Sequence, residues 1–583
     1  MSEKSNIKNI FSLLFRKYSF FRVLSYVFIV ALILSGISFF TVRTKKIPVI
    51  SSVIPVVGQA GDTMVIRGSN FGQIRGTSFV EIGGNRITAS GYITWTENLI
   101  KLTIPSNVQD GLVIVATKSG KSKPGFFANE AGIPVAVQKN IKAVGPTITQ
   151  ITPSSSTVGS LITIFGSDFG INRGNSRVIF TANAEKSSDL GSGQGEKFSD
   201  FDFSVIPASE TDYDYEFWSD SEIRVRIPDG SASGNIYVET EKAKSNAISE
   251  EISTSVGKKS YTGRKTYILQ VNADIDSIDT KNGTNITLRV PRPITFSSQP
   301  MARLTDCSPE PVISDFKNTV IHQISLKKAT SKNEKIKFSH DFALSTYAVN
   351  TEITEKNVKP YSQSFKKRIL YQNSTKADSL ILSDNEGVKA LAEKIITYQN
   401  GKAESNPYIQ ARLVYNYLLE NYELKKDLRK ADSSPLDLLK SKKGDAYDLA
   451  IFYTTLLRAL GIPSLPVAGI LLDSEMKTQN HWWTEFYIEN FGWIPVDLSL
   501  GKGMDYNSFR PVENEAEFYF GNLDGQHIAF SRGQNEVKQT MNAKNKLVHR
   551  PRSYAFQTIW EESSEGNVNY SSLWNVPVVL GVY

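Results

Sequence analysis

Between Gly444 and Asp497 the spacing of apolar positions changes period once. Ala446, Leu449, Ala450, Tyr453, Leu457 and Leu460 recur at helical intervals. This spacing predicts a helix over 445–460, stopped by Gly461 and by Pro463, which cannot continue it. From His481 the period is two. Trp482, Thr484, Phe486 and Ile488 take one face of a strand; His481, Trp483, Glu485 and Tyr487 take the other. Glu489 to Gly492 is a turn candidate, and 493–497 returns as a second strand. Upstream, VKALAEKIITYQ reads as a helix, with Ser383 and Glu386 as its expected capping box. Asn406-Pro407 opens another helix, with proline in its first turn.

Toward the N-terminus the pattern differs. Residues 23–42, VLSYVFIVALILSGISFFTV, carry no charge. At about 1.5 Å per residue they span roughly 30 Å, one bilayer core. A cleaved signal peptide is the alternative; the length of the run and the lack of an A-x-A site favour an uncleaved anchor. Basic residues are more frequent before the span than after it, which predicts residues 1–22 in the cytoplasm and the rest outside it. Residues 47–250 alternate in short runs punctuated by glycine and proline, an all-β pattern. Within them Pro55, Gly61, Gly68, Phe71 and Gly72 recur as Pro153, Gly159, Gly166, Phe169 and Gly170, all at an offset of 98. Trp95 and Pro105 recur as Trp218 and Pro228. The repeated pattern resembles IPT/TIG domains, immunoglobulin-like sandwiches, expected at 47–135 and 145–250. The resemblance implies a spacer or binding module and no chemistry.

Composition and charge narrow the function. The net charge of +7 suggests a nucleic-acid partner until it is located. Residues 1–46 hold eight Lys/Arg and one acid, which leaves 58 basic and 58 acidic side chains in the other 537 residues. The charge therefore belongs to the anchor, and no nucleic-acid face is expected. The single cysteine, Cys307, excludes an intrachain disulfide. It falls in TDCSPE, a loop by composition. The five histidines show no metal-ligand spacing, so neither metal nor cofactor is expected. The acidic run Glu210, Asp212, Asp214 and Glu216 carries only a weak calcium signal.

The chemistry lies in the 444–497 stretch. Gly444, Ala450, Arg458, Gly461, Ile462, Pro463, His481, Trp483, Glu485, Gly492, Trp493, Pro495 and Asp497 stand in the order G-x-C-x-x-x-A, R-x-x-G-I-P, H-x-W-x-E, G-W-x-P-x-D. This resembles the core of the transglutaminase-like superfamily, a branch of papain-like thiol chemistry. The resemblance implies a cysteine at a helix start, a histidine that takes its proton and an acid that orients the histidine. His481 and Asp497 fill the last two roles. The nucleophile position holds Ala446, which has no lone pair.

The expected fold is multidomain: two sandwiches, a β-rich region at 258–365, an α+β transglutaminase-like core at 380–510, and a C-terminal extension at 511–583 packed on the core, all on one transmembrane helix. His527, in the extension, is expected in a surface or packing role. The expected function is a membrane-anchored, extracytoplasmic pseudoenzyme. It binds a peptide or protein against Trp482, Trp483 and Trp493. Two alternatives stay open: a cysteine-type acyl transferase or peptidase relative, and a structural surface protein.

Overall fold

The structure, a computed structural model, describes residues 46–105, 108, 111–129, 145–184, 201–279, 284–326, 335–539, 546–563 and 569–583, with 19, 20, 23, 26–28, 30 and 31. Most of the 23–42 span lies outside these residues. Among the described residues no helix is long and apolar enough to cross a membrane. Residues 185–200 also lie outside them, whereas the acidic run at 210–216 is among the described residues. The chain divides into two compact units, Met1–Lys142 and Ala143–Tyr583.

In the first unit a four-stranded sheet faces a second sheet, and the alternating side chains Met64, Ile66, Val80, Ile100, Leu102, Val113 and Val115 close the core between them. The same topology recurs at Thr147–Ile252, now as part of the second unit. The repeated residues make the same bonds. The Trp95 indole N–H donates to the Phe71 carbonyl, and that of Trp218 to the Phe169 and Gly170 carbonyls. Gly68 and Gly166 each sit where a Cβ would collide with the carbonyl of the neighbouring strand, at Val49 and Thr147. That close approach explains their place in the repeat.

The β-rich region is itself a two-sheet sandwich. Its spine is the 23-residue strand Gly257–Asp279, paired antiparallel with Ile336–Ile353. Cys307 lies on the strand Met301–Ser308, not in a loop; pairing with Ile336–Ile353 overrides the local Ser-Pro signal. The C-terminal extension divides between two partners. His527–Arg532 joins the core sheet, whereas Glu561–Ser563, Asn569–Trp574 and Val578–Val582 complete the sandwich. Packing on the core alone, the expectation from sequence, holds only for the first of these strands.

The core sheet runs in the order Gly492–Val496, Thr478–Ile488, Ser464–Leu472, His527–Arg532, all antiparallel. The central helix, Ala446–Ala459, packs on the Thr478–Ile488 strand and is buried on every side, as its apolar residues all round require. Gly461, at φ +74°, ends it. The upstream helix Glu386–Ile396 is capped by Asn385, whose side chain accepts from Gly387 and Val388 N–H, rather than by Ser383. An asparagine one residue before the first turn satisfies those donors directly.

The second sandwich is anchored to the core by buried polar contacts. The Lys259 ammonium bonds Asp229 Oδ1 at 2.5 Å and the Trp493 carbonyl at 2.7 Å. Arg532 lies between Phe296 and Trp493 and pairs with Glu485 at 2.7 Å and Asp212 at 3.2 Å. The acidic run is thereby explained. Asp212 serves Arg532 and the Trp493 indole, Glu210 pairs with Arg173, Glu216 pairs with Arg226, and Asp214 accepts from Ser209 N–H. Each carboxylate has its own partner instead of converging on a cation.

Candidate active site

The start of the central helix is crowded by design of the chain before it. At Gly444 a Cβ would lie 2.8 Å from Asp448 Cβ and 3.0 Å from Leu438 Cδ2, so only glycine fits. Asp445 caps the helix and forms a reciprocal capping box with Asp448. Ala446 is the first helical residue and is 7% exposed. It packs with Tyr447, Ala450, Ala468, Trp482 and Phe556. Phe556 comes from the C-terminal extension, which thus contributes to the buried cluster that holds Ala446. Arg552 from the same segment bonds both Asp445 oxygens at 2.8 and 2.7 Å and Asp448 Oδ1 at 2.7 Å, while Arg429 pairs with Asp448 at 2.8 Å. Burial pushes the Asp448 carboxyl above its usual range, against the pull of Arg552.

His481 stands opposite Gly469 on the neighbouring strand, where a Cβ would collide with the Ile528 carbonyl of the next strand. Its Nε2–H donates to Asp497 Oδ2 at 2.5 Å, and Trp483 stacks on its ring at 27°. Asp497 also caps the short helix Leu498–Gly501: its Oδ1 accepts from the Ser499 hydroxyl at 2.8 Å and Leu500 N–H at 2.9 Å. A second imidazole shares Oδ2. His527 Nε2–H donates to it at 3.1 Å, and His527 Nδ1–H donates to Asp524 Oδ1 at 2.8 Å. Tyr519 donates its hydroxyl to Asp524 Oδ2 at 3.0 Å. All three of His481, Asp497 and His527 are buried.

The electrostatics follow from burial set against charge. Burial alone lowers the basicity of His527, but the Asp524 charge and the hydrogen bonds His527 donates to Asp497 and Asp524 outweigh it and raise its pKa to about 9. Burial raises the Asp497 carboxyl, but the two imidazoles overcome this and hold it well below the usual carboxylate range. Asp497 is therefore an anion shared by two N–H donors. His481 Nδ1, the ring nitrogen turned away from Asp497, is buried and makes no hydrogen bond among the described residues.

The structure brings His481 and Asp497 together and sets Ala446 at the helix start. It does not bring the three tryptophans into one wall. Trp482 packs in the Ala446 cluster with its indole N–H on the Ser553 carbonyl, Trp483 packs with Leu500 and Tyr519, and Trp493 lies against the second sandwich. Each is at most 5% exposed. Consecutive strand positions point to opposite faces, which separates Trp482 from Trp483. Cys307 is not beside His481; its neighbours are His322 and His340. Sequence reasoning missed the roles of His527, Asp524 and Arg552. Asp524 and His527 are three positions apart at the start of an apolar strand, which was the one available signal. His481, Asp497 and His527 together could suggest a metal centre, but both imidazoles present N–H to the carboxylate, so neither offers a lone pair there.

An open concavity of about 810 Å³ lies between the second sandwich and the β-rich region, reaching the core at Leu465 and Arg532. Arg173, Tyr237, Tyr261, Arg292 and Phe296 are among its walls.

Comparison with known proteins agrees with this layout. Residues 390–498 match the model of the transglutaminase-like superfamily, and residues 48–129 and 146–255 match that of the IPT/TIG domain. An uncharacterized protein of Haemophilus influenzae is 25% identical over 25% of this chain, and the match spans 47% of that protein, about half its length. Among solved structures, a candidate cysteine protease of Cytophaga hutchinsonii is similar over 56% of this chain and 93% of its own, at 16% identity and a TM-score of 0.35. The periplasmic domain of TgpA from Pseudomonas aeruginosa is similar over 42% of this chain and 88% of its own, at 12% identity and a TM-score of 0.22. The chain thus carries a transglutaminase-like core preceded by two IPT/TIG domains.

Proposed function

We propose that this transglutaminase-like chain is a catalytically silent protein, held outside the cytoplasm by residues 23–42, that binds a peptide or protein segment. The observation that carries the reading is Ala446. A thiol mechanism needs a nucleophile at the helix start, and the alanine found there cannot form an acyl intermediate, while His481 and Asp497 keep their hydrogen bond. Burial also argues against substrate entry: Ala446 is buried in a cluster with Tyr447 and Phe556, and His481 and Asp497 are buried as well. The groove beside Arg532 is the open concavity, and its mixture of arginines and aromatics suits a polypeptide. Topology rests on the uncharged span with its basic N-terminal flank. Protease added to intact spheroplasts is expected to digest the chain beyond residue 42; full protection would reject the topology.

Activity is tested with the wild-type chain and with Ala446→Cys in a Cys307→Ser background. Neither amide hydrolysis nor glutamine–amine crosslinking is expected from the wild type. Turnover that disappears in His481→Ala would overturn the reading. The added sulfur enters a packed site at a cost of about 1–3 kcal/mol. Iodoacetamide labelling of Ala446→Cys is expected to be slow in the intact fold. It should accelerate at least about tenfold when Phe556→Ala uncovers the helix start, since labelling needs an accessible thiolate.

A further inference from the structure

We propose that Cys307, His322 and His340 form a zinc(II) site that joins the two sheets of the β-rich region. Cys307 stands directly opposite His340 in the antiparallel pair of Met301–Ser308 with Ile336–Ile353. His322 comes from Thr319–Leu326, a strand of the facing sheet. Their ligating atoms, one sulfur and two imidazole nitrogens, all lie within 4.8 Å of one another. Cys307 Sγ is 3.8 Å from His322 Nε2, and the two Nε2 atoms are 2.7 Å apart.

The proton positions favour a ligand set over an ordinary polar contact. His340 Nδ1–H donates to the Val271 carbonyl at 3.0 Å. That bond fixes the tautomer and leaves a lone pair on Nε2, the usual arrangement behind a metal-bound histidine. Without an ion, His322 must fill the space with its own Nε2–H. Zinc bonds of about 2.0–2.1 Å to nitrogen and 2.3 Å to sulfur place tetrahedral ligands about 3.3 Å (N to N) and 3.6 Å (S to N) apart. The sulfur, 3.8 Å from His322 Nε2, is close to that spacing from one imidazole, and the two imidazoles need part by only about 0.6 Å. Both histidines are buried and the cysteine half-buried, which leaves the fourth position on the solvent side. A thiolate with two imidazoles selects a borderline-soft ion such as zinc over calcium or magnesium. The three residues come from three strands at intervals of fifteen and eighteen positions, so no short motif announces them.

Because Cys307 is the chain's single cysteine, a thiolate signal reports this site alone. The test uses the full-length chain in mild detergent, stripped with chelator and titrated with Co²⁺ and then Zn²⁺. One equivalent of Co²⁺ is expected to give a near-ultraviolet thiolate-to-cobalt band, which zinc displaces. Zinc is expected to slow iodoacetamide labelling of Cys307 at least about tenfold, since metal and alkylating agent compete for one thiolate. Cys307→Ser should abolish the band and weaken zinc binding about 100-fold or more. His322→Gln and His340→Gln should do the same. Should either unfold, Cys307→Ser, at a half-buried position, decides the matter, with its metal-free melting compared with the wild type. Cobalt bound without the thiolate band, including binding at His481 and His527, overturns the proposal. So does a wild-type chain that retains no zinc after desalting from micromolar metal.

Discussion

Replacing Arg552 with methionine is expected to destabilise the central helix and its surroundings by about 3–5 kcal/mol, the usual cost of stripping one partner from a buried ion pair. The guanidinium is 3% exposed and touches Asp445 and Asp448, which are 1% and 0% exposed. Without it Arg429 alone faces two buried carboxylates. The sign of the pH dependence follows. Burial already raises the Asp448 carboxyl above its unfolded value, and removing a cation raises it further. A group with a raised folded pKa stabilises the fold below its unfolded pKa and loses that contribution as pH rises through the folded one. The penalty should therefore be largest near neutrality and shrink toward pH 4. Hydrogen exchange of the Ala446–Ala459 amides measures it. A penalty under 1 kcal/mol, or one independent of pH, would show that the network does not hold the helix start. Adding Asp448→Asn to the variant should restore part of the loss, because it removes one uncompensated charge.

Stability is also expected to fall by about 3 kcal/mol between pH 6.5 and 9, through His527. Its pKa rises from 6.5 to about 9 on folding, because the Asp524 charge and the bonds it donates to Asp497 and Asp524 exceed the cost of burial. The proton is taken up on folding, so this contribution is complete below 6.5 and is lost as pH climbs through 9. Asp497 and Asp524 behave oppositely: both are held below the usual carboxylate range, so their contributions vanish only on acidification. His527→Gln should flatten the alkaline limb of a urea-midpoint profile measured from pH 6 to 9. An unchanged limb would mean that His527 is neutral in the fold. The same experiment bears on the site, because a charged His527 occupies half of the Asp497 oxygen that an imidazolium at His481 would need.

Local signals were sufficient for much of the molecule. The change from helical to alternating spacing placed the central helix and the His481 strand, because each buries a face whose period is set by backbone geometry alone. The repeat at an offset of 98 placed two sandwiches, because the same glycines and tryptophans make the same turns and bonds. His481 and Asp497 were legible because one lies on the strand Thr478–Ile488 and the other directly follows the adjacent strand Gly492–Val496, the two strands being joined by a short turn. The absence of a nucleophile was legible outright at Ala446.

Other features depended on distances that no local pattern carries. Arg552 lies 107 positions from Asp445, His527 lies 30 from Asp497, and Arg532 lies 320 from Asp212. Each of these is an isolated charge in the sequence and a neutralised one in the fold. The split of the C-terminal extension between two sheets was undetermined for the same reason: its strands find edges made by residues hundreds of positions earlier. Trp482, Trp483 and Trp493, expected together at one binding surface, were sent to three cores by tertiary packing. Cys307, His322 and His340 converge because two sheets face each other. By itself the sequence determined the elements, the repeat and the missing nucleophile, since those rest on backbone periodicity and side-chain chemistry. Which charges share a burial site, and how deeply Ala446, His481 and Asp497 are buried, only the tertiary structure decided, because desolvation and coulombic pairing act between groups that meet only after the chain has folded.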